Sequence, residues 1–341
     1  MKNFEMNRKK LIIISDERFI ENYIIDSILP SNIKNVCLIT NKINPKIKKI
    51  LKYNKIKFQF YVLKQLGVRW FKKNIDIKNS LMISAGSSWI IKPDIIKLFK
   101  NNILNLHQSP LPSLRGAVAS YVRLYGIKSL QVCLHVVKEK IDVGEIVFSK
   151  NVFISKEIDT PIKIHNFLQK CNRELLKDFL ISYFVKNKKL TYNKQNEFFS
   201  SYMPRLKTEI NGWIDWSSHV YELERFIGAF DEPYTGSKTM LHGKPVSLLN
   251  VQHSCMEASK HPFENGMVLR KFMDMIVVSV KGGSLYVKKV IYKNQDIKNK
   301  IRPGDIFYTP TNKLDLTKRK NIFISKDKKI YDQKKNKVKL L

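Results

Sequence analysis

Residues 102–116 read N-I-L-N-L-H-Q-S-P-L-P-S-L-R-G. Asn105 and His107 lie two apart in a short β-like run, so their side chains share one face. The run then meets Ser109, two prolines and Arg115-Gly116, which continue neither a strand nor a helix. A polar pair delivered at a strand end, ahead of a stiff loop, suits a site better than a core.

The flanking pattern supplies the scaffold. Apolar runs at 10–15, 36–40, 57–62, 80–84 and 103–107 read as strands. Helical spacing falls between them at 17–29, 45–53, 66–75 and 93–99, the last with Pro at its first position. Strands alternating with helices indicate a Rossmann-like, mostly parallel α/β sheet, which takes ligands beyond the carboxyl ends of its strands. Ser84-Ala85-Gly86 and the Asn105/His107 pair both fall at such ends. A helix over 117–125, strands over 129–137 and 145–149 and a long helix over 160–186 follow. Between the two strands a polar loop holds Asp142 and Gly144.

The expected division is a catalytic domain over 1–187, a polar linker over 188–205, a β-rich domain over 206–310 and a basic tail over 311–341. Ser217 or Ser218 is the expected cap of a helix reaching Gly228. Five short β-like segments separated by Gly turns then suggest a small, OB-like β-barrel. From Thr311 onward the chain holds 11 Lys or Arg against 3 Asp, which reads as a loosely packed tail in which N-I-F-I could add a strand.

Composition bounds the function. The chain has 341 residues, 43% of them hydrophobic, enough for two packed domains. No stretch approaches the 18 or so uninterrupted apolar residues of a membrane span, and the first apolar run is too short for a signal peptide. Both point to the cytoplasm. Cys37, Cys133, Cys171 and Cys255 are scattered without a C-x-x-C pair, so neither a zinc site nor a disulfide framework is expected. The net charge of +33 attracts anions and admits an RNA partner. The basic residues are mostly Lys spread over the whole chain, however, among many Asn and Ile, as A- and T-rich coding would produce.

Asn, His and Asp together match the needs of acyl transfer to an amine. An amide N–H₂ stabilises the oxyanion of a tetrahedral intermediate. An imidazole gives or takes a proton near neutrality. A carboxylate orients the imidazole or takes the proton lost by the amine. Ser109, before a proline, carries no separate signal of a nucleophile, and Asp142 also has an ordinary turn-forming reading.

The two blocks N-L-H-Q-S-P-L-P-S-L-R-G at 105–116 and I-D-V-G-E-I-V at 141–147 resemble the 10-formyltetrahydrofolate-dependent formyltransferases. That family has an Asn-x-His pair, a Ser-Leu-Leu-Pro-like loop with Arg-Gly, and an Asp-x-Gly loop about 35 residues on. The resemblance implies a catalytic trio of Asn105, His107 and Asp142, with Ser109, Leu111, Pro112, Arg115 and Gly116 as the loop beside it. It further implies a folate pocket lined by Ser84, Ala85, Gly86, Ser87, Trp89, Ile141 and Gly144, with 10-formyltetrahydrofolate as co-substrate and no metal. The stretch from W-I-D-W-S-S to D-E-P-Y-T-G-S looks like the start of the C-terminal domain of methionyl-tRNA formyltransferase and of the sugar N-formyltransferases.

Pro110 stands where the family usually has Leu, and Val143 where it commonly has Thr. The start lacks the Gly-Thr-Pro-x-Phe-Ala of the tRNA enzyme, and D-E-P-Y-T-G-S is closer to the sugar enzymes. The basic second half is closer to the tRNA enzyme. The expected acceptor is therefore the amine of methionyl-tRNA or of a nucleotide-linked amino sugar. A formyltetrahydrofolate deformylase and a non-catalytic RNA-binding relative are the alternatives, disfavoured by the appended domain and by the retained trio respectively.

Overall fold

Leu11–Ile14 are all fully buried and sit at the middle of a seven-stranded sheet. An unbroken apolar run is what a strand covered on both faces requires. The computed structural model describes residues 10–42, 44–62, 66–257, 261–322 and 330–332. The strands are β1 (Lys10–Ile14), β2 (Asn35–Thr40), β3 (Lys57–Val62), β4 (Ser80–Ala85), β5 (Ile103–His107), β6 (Ser129–Val136) and β7 (Ile146–Phe153). Their spatial order is β3-β2-β1-β4-β5-β6-β7. The first five are parallel, whereas β6 runs antiparallel to both β5 and β7.

Helices α1 (Glu17–Tyr23), α2 (Pro45–Tyr53), α3 (Val68–Asn74) and α4 (Pro93–Phe99) make the crossovers. The chain winds from β1 outward to β3 and then returns to β4 on the other side of β1. The switch point therefore lies between β1 and β4. There Asp16, just past β1, accepts hydrogen bonds from the Ser88 amide and hydroxyl at 3.2 and 3.3 Å. The helical run expected over 17–29 breaks at Tyr23 into a π-helical stretch, Ile24–Ile28. The long helix α6 (Pro161–Leu180) ends in a second one, Ile181–Val185.

The chain divides into two compact units, each built from three stretches. One comprises Met1–Arg115, Ser129–Phe153 and Phe167–Tyr202; the other comprises Gly116–Lys128, Ile154–Asn166 and Met203–Leu341. This differs from the contiguous division expected from sequence. Most of the expected linker is held within the first unit, where Asn193 and Ile146 exchange both backbone hydrogen bonds at 2.9 Å. Helix α5 (Ala119–Tyr125) belongs to the second unit, where Arg123 pairs with Glu224 at 2.8 Å.

In the second unit, α7 (Val220–Ala229) packs on an antiparallel sheet. Its strands are β8 (Ser237–Leu241), β9 (Lys244–Ser254), β10 (Val268–Phe272), β11 (Met275–Val280) and β12 (Gly283–Tyr292), ordered β8-β9-β12-β11-β10. Residues 305–308 join the two outer strands. Met240 of β8 and Tyr308 exchange hydrogen bonds at 2.8 and 3.1 Å, and the Val268 amide of β10 donates to Asp305 at 2.8 Å. The sheet thereby closes on itself over a core that includes Trp216, Leu223, Ile276 and Phe307.

His219, not Ser217 or Ser218, caps α7, in a reciprocal box with Glu222. Ser217 is instead engaged by Asp215, which accepts its hydroxyl at 2.6 Å. Residues 311–319 are not a loose tail. They form helix α8 (Thr311–Arg319), tied down by Asn211 Nδ2 donating to the Thr317 and Lys320 carbonyls at 3.2 and 2.9 Å. Residues Lys320–Ile322 form a strand paired with Ile330–Asp332, as N-I-F-I hinted; the rest of the basic tail lies outside the described residues. No helix among the described residues is long and apolar enough to cross a membrane.

Candidate active site

Register on the first sheet assembles the site. Asn105 stands opposite His135 on β6, and His107 opposite Cys133. Directly opposed residues on antiparallel strands project to the same face. Asn105 Nδ2 accordingly lies 3.2 Å from His135 Nε2, and the His107 and His135 rings meet edge to face with centroids 5.8 Å apart. His135 carried no signal in the sequence, because nothing local told which residue of β6 would face Asn105.

The loop after β6 turns back over this face. Asp142 has φ = 57°, a left-handed conformation that Asp tolerates better than most residues. Its carboxylate oxygens stand 3.4 Å from His135 Nε2 and 3.9 Å from His107 Nδ1. Gly144 is required by packing: a Cβ there would lie 1.7 Å from the Val136 carbonyl oxygen. Its missing side chain lets the loop close on β6, a backbone role distinct from the ligand contact expected of it.

The loop after β5 is held from within. Ser109 is fully buried and donates to the Leu114 carbonyl at 2.5 Å, so its hydroxyl is committed to loop shape. The same carbonyl lies 3.4 Å from His107 Nε2. Leu111 and Arg115 are buried too, while Pro112 is partly exposed.

A polar segment that sequence reasoning left as linker binds both loops together. Arg115 donates to the two Glu197 oxygens at 2.9 and 2.6 Å and to Gln195 Oε1 at 2.7 Å. Gln195 Nε2 in turn donates to the carbonyls of Asp142 and Gly144 at 2.9 and 2.6 Å. Gln195 is thus a bridge between the Arg115 loop and the Asp142 loop. The Arg115 guanidinium holds the Glu197 carboxyl below the usual carboxylate range.

The electrostatics favour neutral groups. Burial pushes the His107 imidazole below its ordinary pKa; the Asp142 carboxylate opposes this, His135 reinforces it and the Leu114 carbonyl opposes it. Burial drives the Cys133 thiol up to about 12, so it supplies no thiolate nucleophile at neutrality. A neutral imidazole beside a carboxylate and an amide can accept and return one proton while the amide steadies an oxyanion.

The residues expected to line a cofactor pocket fall in two groups. Ser84 and Ala85 are buried within β4, and Gly86, Ser87 and Trp89 emerge beyond its carboxyl end. Ile141 is 36% exposed on the Asp142 loop. Gly86 has φ = 62°, and a Cβ there would touch the Phe19 ring at 3.0 Å.

Among solved structures, the fold is similar to that of an N-formyltransferase from Helicobacter canadensis, in complex with folinic acid and dTDP-3-aminofucose. The TM-score is 0.61 at 20% identity, covering 82% of this chain and 98% of that one. It is similar also to WlaRD, a sugar 3N-formyl transferase with dTDP and 5-N-formyl-THF (TM-score 0.59, 19% identity, covering 82% and 96%). HypX from Aquifex aeolicus with tetrahydrofolic acid matches at TM-score 0.51 and 15% identity, over 89% of this chain and 46% of that one. At these identities the likeness is one of fold. The family itself is settled by two sequence models, formyl transferase over residues 8–180 and formyl transferase C-terminal domain over residues 207–302. Together they span most of the chain and frame the Asn105–His107–Asp142 face, and the chain belongs to the formyl transferase family.

Proposed function

We propose that this enzyme transfers a formyl group from 10-formyltetrahydrofolate to the primary amine of a nucleotide-linked amino sugar. The observation that carries the reading is the convergence of Asn105, His107 and Asp142 at the carboxyl end of β5. In this reading the neutral amine attacks the formyl carbon, and the Asn105 amide donates to the oxygen that becomes negative. Asp142 takes the proton lost by the amine and passes it to His107 Nδ1, which delivers it to the departing folate nitrogen, so that both groups end as they began. The C–N bond to the acceptor forms as the C–N bond to the folate breaks, and no covalent enzyme intermediate is needed. Ser84–Trp89, Ile141 and the Asp142 loop form the folate side.

The sugar acceptor is supported by two fold relatives crystallised with dTDP or a dTDP-amino sugar. Methionyl-tRNA is the second reading, favoured by the +33 net charge. The test presents 10-formyltetrahydrofolate with a panel of nucleotide amino sugars and, separately, with charged initiator tRNA. Tetrahydrofolate release that depends on an amino sugar, and is lost in His107→Ala, supports the first reading. Release with tRNA alone, weakening steeply with salt, supports the second. No release with any amine refutes formyl transfer.

A further inference from the structure

Two backbone carbonyls determine which imidazole nitrogens of the site keep a lone pair. The Val136 carbonyl lies 3.0 Å from His135 Nδ1, and the Leu114 carbonyl lies 3.4 Å from His107 Nε2. A carbonyl only accepts, so each of these nitrogens carries the ring hydrogen when the imidazole is neutral. The lone pairs then sit on His135 Nε2 and His107 Nδ1. Those are the two nitrogens turned toward Asp142, at 3.4 and 3.9 Å. One ligand atom from each of the three residues lies within 4.8 Å of the others.

His135 Nε2 accepts from the Asn105 amide at 3.2 Å, and a positive charge placed among the two nitrogens and the carboxylate would draw all three groups together. A proton can supply that charge, and so can a metal ion. Imidazoles whose second nitrogen is held by a backbone carbonyl are the usual form of metal-ligating histidine. Two nitrogens and a carboxylate oxygen suit Zn²⁺ better than Mg²⁺ or Ca²⁺, which favour all-oxygen shells. Zinc bonds of roughly 2.0–2.2 Å set tetrahedral neighbours about 3.4 Å apart. The His135 Nε2–Asp142 Oδ1 pair already has that spacing; His107 Nδ1 stands 3.9 Å from Oδ2, and with the three ligand atoms spread over at most 4.8 Å the site closes on an ion by movements of up to about 1.4 Å.

We propose that His107 Nδ1, His135 Nε2 and the Asp142 carboxylate form a reversible Zn²⁺ site with an open fourth position, and that its occupation holds the enzyme inactive. The inhibitory half rests on the formyl-transfer reading; the binding half does not. With zinc on Nδ1, His107 has no lone pair with which to handle a proton. The Asn105 amide, 3.2 Å from His135 Nε2, must turn aside when the ion enters, which removes the oxyanion donor as well. The scattered cysteines gave no hint of such a site, because its ligands come from three separate segments and none is a thiol.

The test titrates the chelator-treated 341-residue chain with Co²⁺, whose visible absorption reports coordination, and then displaces it with Zn²⁺. One equivalent should bind, with binding at least tenfold weaker in His135→Ala and in the near-isosteric Asp142→Asn. His253→Ala, at a histidine of the other unit, should bind as the parent does. Zn²⁺ should also slow formyl transfer, and a chelator should restore it. Absence of Co²⁺ and Zn²⁺ binding, or binding unchanged in Asp142→Asn, overturns the proposal. A chain that shows the expected metal signature yet never transfers a formyl group keeps the site and loses the formyl-transfer reading.

Discussion

Asn105 and His135 are direct cross-strand partners, and the Asn105 amide nitrogen stands 3.2 Å from His135 Nε2. With the His135 Nδ1 hydrogen held by the Val136 carbonyl, Nε2 accepts one amide hydrogen and fixes the carboxamide plane. In the proposed reaction the second amide hydrogen is the one that would meet the developing oxyanion.

On the proposed mechanism His135 would act on the reaction through Asn105. His135→Ala should lower kcat by about ten- to a hundredfold with little change in KM. Asn105→Ala, which removes the donor itself, should cost about 10²–10³. Steady-state kinetics on both variants and on the double variant check this: the double should cost much less than the product of the two singles.

Gln195 holds two loops through three hydrogen bonds. Gln195→Ala removes the donor that two carbonyls of the Asp142 loop share, a loss of about 1–3 kcal/mol. Urea unfolding should show that decrease, and kcat should fall as Asp142 loses its fixed place. Glu197→Gln keeps the size of the side chain, removes only the charge facing Arg115 and should be milder on both counts.

Gly144→Ala should be far worse than an ordinary surface change. The new methyl would fall 1.7 Å from the Val136 oxygen, so the loop must back away from β6, at about 2 kcal/mol or more. Gly67→Ala is the control, since a Cβ there meets nothing within 4 Å. Its stability should change by about 0.5 kcal/mol or less.

The acid limb of stability should carry a signature of Glu257. Hydrogen bonds from Arg270, and then from Ser284, hold its carboxyl down at about 2, against an ordinary 4.5. A carboxyl depressed on folding stabilises the native state at pH values above its unfolded pKa. That contribution is lost as pH falls from about 4.5 toward about 2. Glu257→Gln should be less stable than the parent at pH 6, and the gap should shrink as pH drops to 2 in urea unfolding.

Much of the scaffold was legible because periodicity is local. Pro45–Tyr53, Lys57–Val62, Pro93–Phe99, Ile103–His107 and Met275–Val280 fall where spacing and flanking prolines put them. The Asn105–His107 pair was readable for the same reason. His135 was not, since strand register is set by long-range pairing. Gln195 and Glu197 sit in a polar segment with no period, and their value comes from partners about 50 to 80 residues away. Helix α8 escaped notice because its sequence, T-N-K-L-D-L-T-K-R, is mostly polar and its anchor is Asn211, about a hundred residues earlier.

The segment 305–308 does more than finish a sheet. By bonding to Met240 of β8 and to Val268 of β10, it covers part of the backbone row on each outer strand through which sheets of different molecules fuse. A chain cut short before Asp305 would bare the Met240 and Val268 stretches of both outer strands at once. Its hazard would be self-association through strands while the Asn105–His107–Asp142 face of the first unit remained intact.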